Sequence, residues 1–215
     1  MPTSAHTRPQ TDSRRGQLLE LGLQLFGSRP YDDVSIDDIA REAGISKGLL
    51  YHYFGGKRDF YVAVVAEASA RLRAATEPDP ALDPRSRIVA GLGAYLDFVD
   101  ARAAAFTALM RGGLGTDPEI AGVIDSTRQV FVDRFVEGLG LTAPRPVFRT
   151  AVRAWIGAVE AASLDWITHR DLPRDTLLML LLSSLGAHLV VASRLDPAAG
   201  VVLTDVEPLL GQLGL

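Results

Sequence analysis

The sequence predicts an all-α protein of about nine helices, with a group of short helices first and longer ones after. Three observations carry that expectation. Apolar residues recur at helical spacing along most of the chain. Serine, aspartate, glycine and proline stand where helices begin and end. No stretch alternates polar and apolar residues long enough to form a sheet.

The helices follow in order. From Arg14 to Gly27 the residues Leu18, Leu21 and Leu25 repeat on one face. Ser28 to Asp32 interrupts the pattern. Ser35 then precedes Ile36-Asp37-Asp38, a hydroxyl cap with acids in the first turn, and a short helix runs to about Ala43. Gly44 suits a left-handed stop. Ser46 is a second cap for a helix from Lys47 to about Phe54, which Gly55-Gly56 ends. Longer helices are expected at 57–76, 85–101, 103–111, 118–139, 147–169 and 173–195, separated by proline and glycine clusters. A last short helix is expected at 205–213. Residues 1–13 read as a flexible polar arm, 14–60 as one domain and 61–215 as a second.

Bulk properties narrow the function. The 215 residues carry a net charge of −4, too acidic for a protein that coats nucleic acid without selectivity. Residues 1–60 hold eight basic and eight acidic side chains, so any nucleic-acid contact belongs to a local surface. There is no cysteine, which excludes disulfides and thiolate chemistry and suits the cytoplasm. The apolar run at 177–193 is shorter than the ~20 residues of a membrane span and contains Ser183, Ser184 and His188, so a buried helix is expected.

The stretch AGISKGLLYHYFGGK, residues 43–57, is the most informative. Lys47 and Lys57 are the only two lysines in the chain, and between them lie Tyr51, His52, Tyr53 and Phe54. Helix, glycine turn and helix within about twenty residues make a helix-turn-helix. Ile36, Ile39, Ala40, Ile45, Leu49 and Leu50 are the expected shared core. The second helix then presents Ser46, Lys47 and Gly48 in its first turn to a major groove and its phosphates. Tyr51, Tyr53 and His52 can meet backbone oxygens, Phe54 turns inward, and Lys57 begins the next helix, where an anion is favoured.

Residues 14–60 resemble the amino-terminal domain of the tetracycline-repressor family of bacterial transcription regulators. The likeness rests on Leu25-Phe26, Val34-Ser35-Ile36-Asp37-Asp38-Ile39-Ala40, Ala43-Gly44-Ile45-Ser46-Lys47-Gly48, Leu50-Tyr51-His52-Tyr53-Phe54, Lys57 and Phe60. The resemblance implies a homodimer on a palindromic double-stranded DNA operator, a C-terminal ligand-binding and dimerisation domain, and repression relieved by a small molecule. It places Ser35, Ser46, Lys47, Gly48, Tyr51, His52, Tyr53 and Lys57 at the family's DNA-contacting positions. One departure stands out: Asp37 and Asp38 leave the first helix of the pair without a basic base-reading side chain.

In the rest of the chain, Ala151, Ala154, Ala158 and Ala161 form a stripe that lets helices approach closely. With Leu181, Leu185 and His188 of the following helix they make a candidate dimer surface. Tyr95, Phe98, Phe106, Met110, Phe131, Phe135 and Trp155 are candidates to line a largely apolar ligand pocket, with plain core the favoured reading of each one singly. Glu160 lies among apolar neighbours, where a free carboxylate is unfavourable. It meets a ligand, pairs with an arginine such as Arg153, or sits at the dimer edge. No histidine has a partner at metal-ligand spacing, and Gly112-Gly113-Leu114-Gly115 lacks the nucleotide-binding pattern. Neither a metal, a cofactor nor an enzyme activity is expected. The competing reading is a ligand- or partner-binding module that has lost DNA binding.

Overall fold

The structure is a computed structural model and describes residues 8–111, 117–138 and 145–199. Among these residues it is all helical. The helices are α1 (Arg8–Ser28), α2 (Ile36–Glu42), α3 (Lys47–Phe54), α4 (Lys57–Ala75), α5 (Pro84–Asp100), α6 (Ala103–Arg111), α7 (Pro118–Gly138), α8 (Pro146–His169) and α9 (Arg174–Leu195). Single 3-10 turns occupy Tyr31–Asp33 and Pro197–Ala199. The helix expected at 205–213 lies outside the described residues, as does the Gly112–Gly115 loop.

The first helix differs most from expectation. Among the described residues it runs from Arg8, so residues 8–13 are helical where a flexible arm was expected. The polar composition of residues 1–13 suggested an arm, but polarity without an apolar repeat does not exclude a helix.

The chain forms two compact units. One holds residues up to Arg71 together with Arg102–Val123; the other holds Leu72–Ala101 and the residues from Ile124 onward. A single cut at residue 60 was expected. Instead the divisions fall within α4, between α5 and α6, and within α7, and α6 joins the amino-terminal unit, where it packs on α1.

The amino-terminal unit closes around Leu18, Leu25, Phe26, Val34, Ile39, Leu50, Phe60, Val64 and Val65. Phe26 meets Tyr61 edge-on at 4.8 Å, and Phe54 meets Phe60 at 4.8 Å. Gly22 permits the tight approach of α1 to α4. A Cβ there would stand 2.3 Å from Val64 Cγ2 and 2.8 Å from Phe60 Cζ.

In the other unit α8 and α9 pack side by side with α5 against them. Trp155 is buried, and its indole N–H donates to the Leu181 carbonyl at 2.9 Å, which fixes α8 on α9. Phe135 meets the Trp155 ring edge-on at 4.9 Å. Arg134 donates to the Arg73 and Thr76 carbonyls, satisfying groups that the end of α4 leaves open. The helix α9 is long and apolar enough to cross a membrane by composition alone. Its Leu177, Leu181, Leu182, Leu185 and Leu189 are instead buried within the protein.

Candidate nucleic-acid interface

The α2–turn–α3 segment is set by local hydrogen bonds. Ser35 and Asp38 form a capping box: the Asp38 N–H donates to Ser35 Oγ at 3.0 Å, and the Ser35 N–H donates to Asp38 Oδ2 at 3.0 Å. The Ser35 hydroxyl and N–H, followed by Arg41, hold the Asp38 carboxyl well below the usual carboxylate range. At the other end of α2, Gly44 adopts a left-handed φ of 61°. The Ile45 N–H then reaches the Ala40 carbonyl at 3.0 Å, and the Gly44 N–H reaches Arg41 at 3.2 Å. This paired closure turns the chain sharply and needs positive φ at Gly44. Ser46 starts α3 by accepting from the Leu49 N–H at 3.2 Å.

These bonds orient α3. Leu50 and Phe54 are buried beneath it, and Arg15 lies 5.3 Å over the Phe54 ring. Ser46, Lys47, Gly48, Tyr51 and His52 are exposed, with half of Tyr51 open to solvent. Tyr53 is half-buried, with its ring 5.8 Å from that of His52. A Cβ on Gly48 would meet nothing closer than 3.9 Å, so no packing within the protein demands glycine there.

One expected core residue lies outside the core, and two expected contacting residues already have partners within the chain. Leu49 was assigned to the shared core but is 38% exposed on the outer side of α3. Sequence reasoning missed it as a surface group because isolated apolar residues on a short helix give too few turns to fix a face. The Ser35 hydroxyl is already engaged with Asp38, so its first role is to cap α2. Lys57 is half-buried, with its ammonium 4.0 Å above the Tyr31 ring. The acidic pair on α2 also has a use. Asp38 is taken up by Ser35 and Arg41, while Asp37 forms an exposed ion pair with Lys47. Beside α3, Arg58 at the start of α4 is bound to Asp117 at 2.7 Å and Glu119 at 3.0 Å. With three acidic side chains, including Asp59, within ion-pair distance, its charge is largely spent.

The remaining candidates divide between the units. Phe106 and Met110 lie on α6 in the amino-terminal unit, whereas Tyr95, Phe98, Phe131, Phe135, Trp155 and Glu160 belong to the other. Glu160 pairs with Arg128, not Arg153: Arg128 Nε donates at 2.9 Å and Nη2 at 2.6 Å. Arg153 pairs with Asp125.

On α8 the residues Ala154, Gly157, Ala158 and Ala161 are exposed, and Ala151 is half-buried. Leu181 and Leu185 do not join them. Both are buried within the chain's own core, because the period of α9 turns them toward α8 and α5. The open stripe of α9 instead carries Leu180, Ala187, Val191 and Leu195, at 58% exposure for Leu180 and 55% for Val191. His188 is half-buried, with Nδ1 2.7 Å from the Ser184 carbonyl.

Comparison with known proteins agrees with this architecture. Residues 18–64 match the family described as bacterial regulatory proteins, tetR family, and residues 84–188 match the tetracyclin repressor-like C-terminal domain. A transcriptional regulator structure from Streptomyces coelicolor is 35% identical, covers 92% of this chain and 89% of its own, and superposes with a TM-score of 0.83. The transcriptional activator FasR of Mycolicibacterium smegmatis is 30% identical over 173 residues, 76% of each chain. The transcriptional repressor KstR2 of Mycobacterium tuberculosis is 46% identical over 50 residues, 23% of this chain and 25% of its own.

Proposed function

The chain belongs to the tetracycline-repressor family of bacterial transcription regulators, and on that premise we propose that it represses transcription by binding a palindromic operator as a homodimer. A small, largely apolar ligand releases it. The exposed face of α3 carries this reading: Lys47, Tyr51 and His52 point outward from a helix anchored by Leu50 and Phe54. Lysine supplies a point charge to a phosphate, tyrosine a hydroxyl donor, and the bare backbone at Gly48 allows close approach to a base edge or sugar. Leu49 adds an apolar contact of the kind that reads a thymine methyl.

The open stripes of α8 and α9 support the homodimer. Small residues on one helix and Leu180 and Val191 on the next leave apolar surface that a second copy would cover. A symmetric pair sets its two heads about 34–36 Å apart, one helical turn of DNA. A ligand that binds a form with a different separation draws the protein off its operator by mass action. The work of such a regulator is in the cytoplasm, and it involves no catalysis.

FasR, alike over three quarters of the chain, is an activator, and that favours activation as the second reading. A promoter–reporter assay separates the two by the sign of its response. Selection of bound DNA from a random pool tests the first step. An enriched palindrome is expected, together with weaker gel-shift binding of that site by Lys47→Ala and Tyr51→Phe. No enriched sequence would instead mean a ligand- or partner-binding module that has lost DNA binding.

A further inference from the structure

Tyr95 on α5 and Ser163 on α8 are buried, and neither hydroxyl has a hydrogen-bond partner. The Ser163 hydroxyl is unusual for a helix. Ser183, Ser184 and Ser193 on α9 each donate to a carbonyl one turn back, the default for a hydroxyl in a helix. Ser163 makes no such bond. Ser163 lies near enough to Tyr95 to lower the phenol slightly, as a weak side-chain hydrogen bond would, yet neither hydroxyl reaches any partner with full hydrogen-bond geometry. Buried hydroxyls are almost always paired, so two orphans together leave an unfilled demand for hydrogen bonds.

One turn before Ser163, Glu160 is closed against Arg128 of α7 by contacts of 2.9, 3.1 and 2.6 Å. That pair is only partly buried, with side-chain exposures of 31% for Arg128 and 17% for Glu160. Charge at this end of the unit is therefore already balanced. Burial, then the Glu160 carboxylate, pushes the Tyr95 phenol well above its usual range, so it stays a protonated donor at neutral pH. The helices α5, α7 and α8 also bury Leu92, Leu96, Val99, Val132 and Val159.

We propose that Tyr95 and Ser163 are the polar recognition point for the effector, and that they jointly donate to the carbonyl oxygen of an uncharged, otherwise apolar molecule. A carbonyl oxygen has two lone pairs, which matches two converging donors. An ionised ligand is disfavoured, because it would have to break the Arg128–Glu160 pair to find a counter-charge. The proposal rests on the ligand-responsive reading above and names the class of ligand for it.

The test uses 2-octanone and n-octane as probes, since they share a chain and differ in one carbonyl. Binding to the full-length protein is followed by the fluorescence of Trp155 and Trp166 and by the shift in Tm, at matched free concentrations. The ketone should bind at least about tenfold more tightly than the alkane, as expected where buried donors would otherwise stay unpaired. Tyr95→Phe and Ser163→Ala should each erase most of that preference while leaving the ligand-free Tm no lower than before. Equal responses to the two probes, whether present or absent, would overturn the proposal. So would variants that keep the preference for the ketone. A lower Tm in both ligand-free variants would also overturn it, because it would show the hydroxyls serving the fold through a structural water. Ketone binding that depends on Tyr95 but leaves affinity for the selected operator unchanged would uphold this site and sink the ligand-release reading instead.

Discussion

The two compact units keep their polar groups in opposite places. The amino-terminal unit buries apolar rings and holds Lys47, Tyr51 and His52 out to solvent on α3. The other unit turns Tyr95 and Ser163 inward and leaves apolar and small residues of α8 and α9 outside. Under the proposed function, the contrast follows from what each would meet. A DNA duplex is large, charged and hydrated, and it is met by a polar surface. A small apolar ligand is met by a core, and a second copy of the chain by an apolar stripe. The devices differ in reach as well. The α2–α3 head is fixed by hydrogen bonds between residues three to five apart, whereas Arg128 and Glu160 are 32 residues apart.

The sharpest way to break this contrast is to put charge on the exposed stripe. Ala158→Arg should convert a dimer to a monomer in sedimentation and weaken operator binding by at least about 100-fold, through loss of the second half-site. Its unfolding midpoint should barely move, since Ala158 is open to solvent in the protomer. A monomer that still bound the full operator tightly would remove the stripe from the mechanism.

A smaller effect is expected at the turn. Gly44→Ala adds a Cβ that meets nothing within 4 Å, so only its φ of 61° is disturbed. Urea denaturation should show a loss of about 1–2 kcal/mol. An unchanged stability would mean that the turn relaxes to another conformation.

On the exposed face of α3, Lys47→Ala should weaken operator binding about fivefold to tenfold and flatten the salt dependence by about one unit. Its neighbour sharpens the point. Asp37 sits on Lys47 and presents a like charge to the phosphates, so Asp37→Asn should tighten binding about twofold to threefold. Looser binding of Asp37→Asn would show that Asp37 orients the lysine and does not compete for it.

The smallest effect is in acid. The Asp38 carboxyl is depressed by Ser35, then Arg41. A depressed carboxylate stabilises the fold at pH above its unfolded value, and that contribution fades as pH falls through its folded value. The stability difference between the native protein and Asp38→Asn, full at neutral pH, should shrink progressively as pH drops below about 4. A difference that stayed constant into acid would assign it to shape, not charge.

The limits of sequence reasoning follow the same division. Caps at Ser35 and Ser46, the stop at Gly44, and the bounds Lys47–Phe54 and Ala103–Arg111 were legible, because each depends on neighbours within a turn or two. The start of α1 was not, since residues 8–15 carry no apolar repeat to mark a helix. Leu49 and Leu181 show a second limit: period alone says that a helix has an apolar side, not which leucine points to which neighbour.

The sequence by itself therefore determined most of the helix bounds and the turn between α2 and α3. Local hydrogen bonds and staggered spacing are written into consecutive residues. Only the tertiary structure decided that α6 joins the amino-terminal unit, that Arg128 and not Arg153 answers Glu160, and that Tyr95 and Ser163 meet without partners. Those outcomes depend on how helices distant in the chain pack, and packing sums many weak, non-directional contacts that no short stretch encodes.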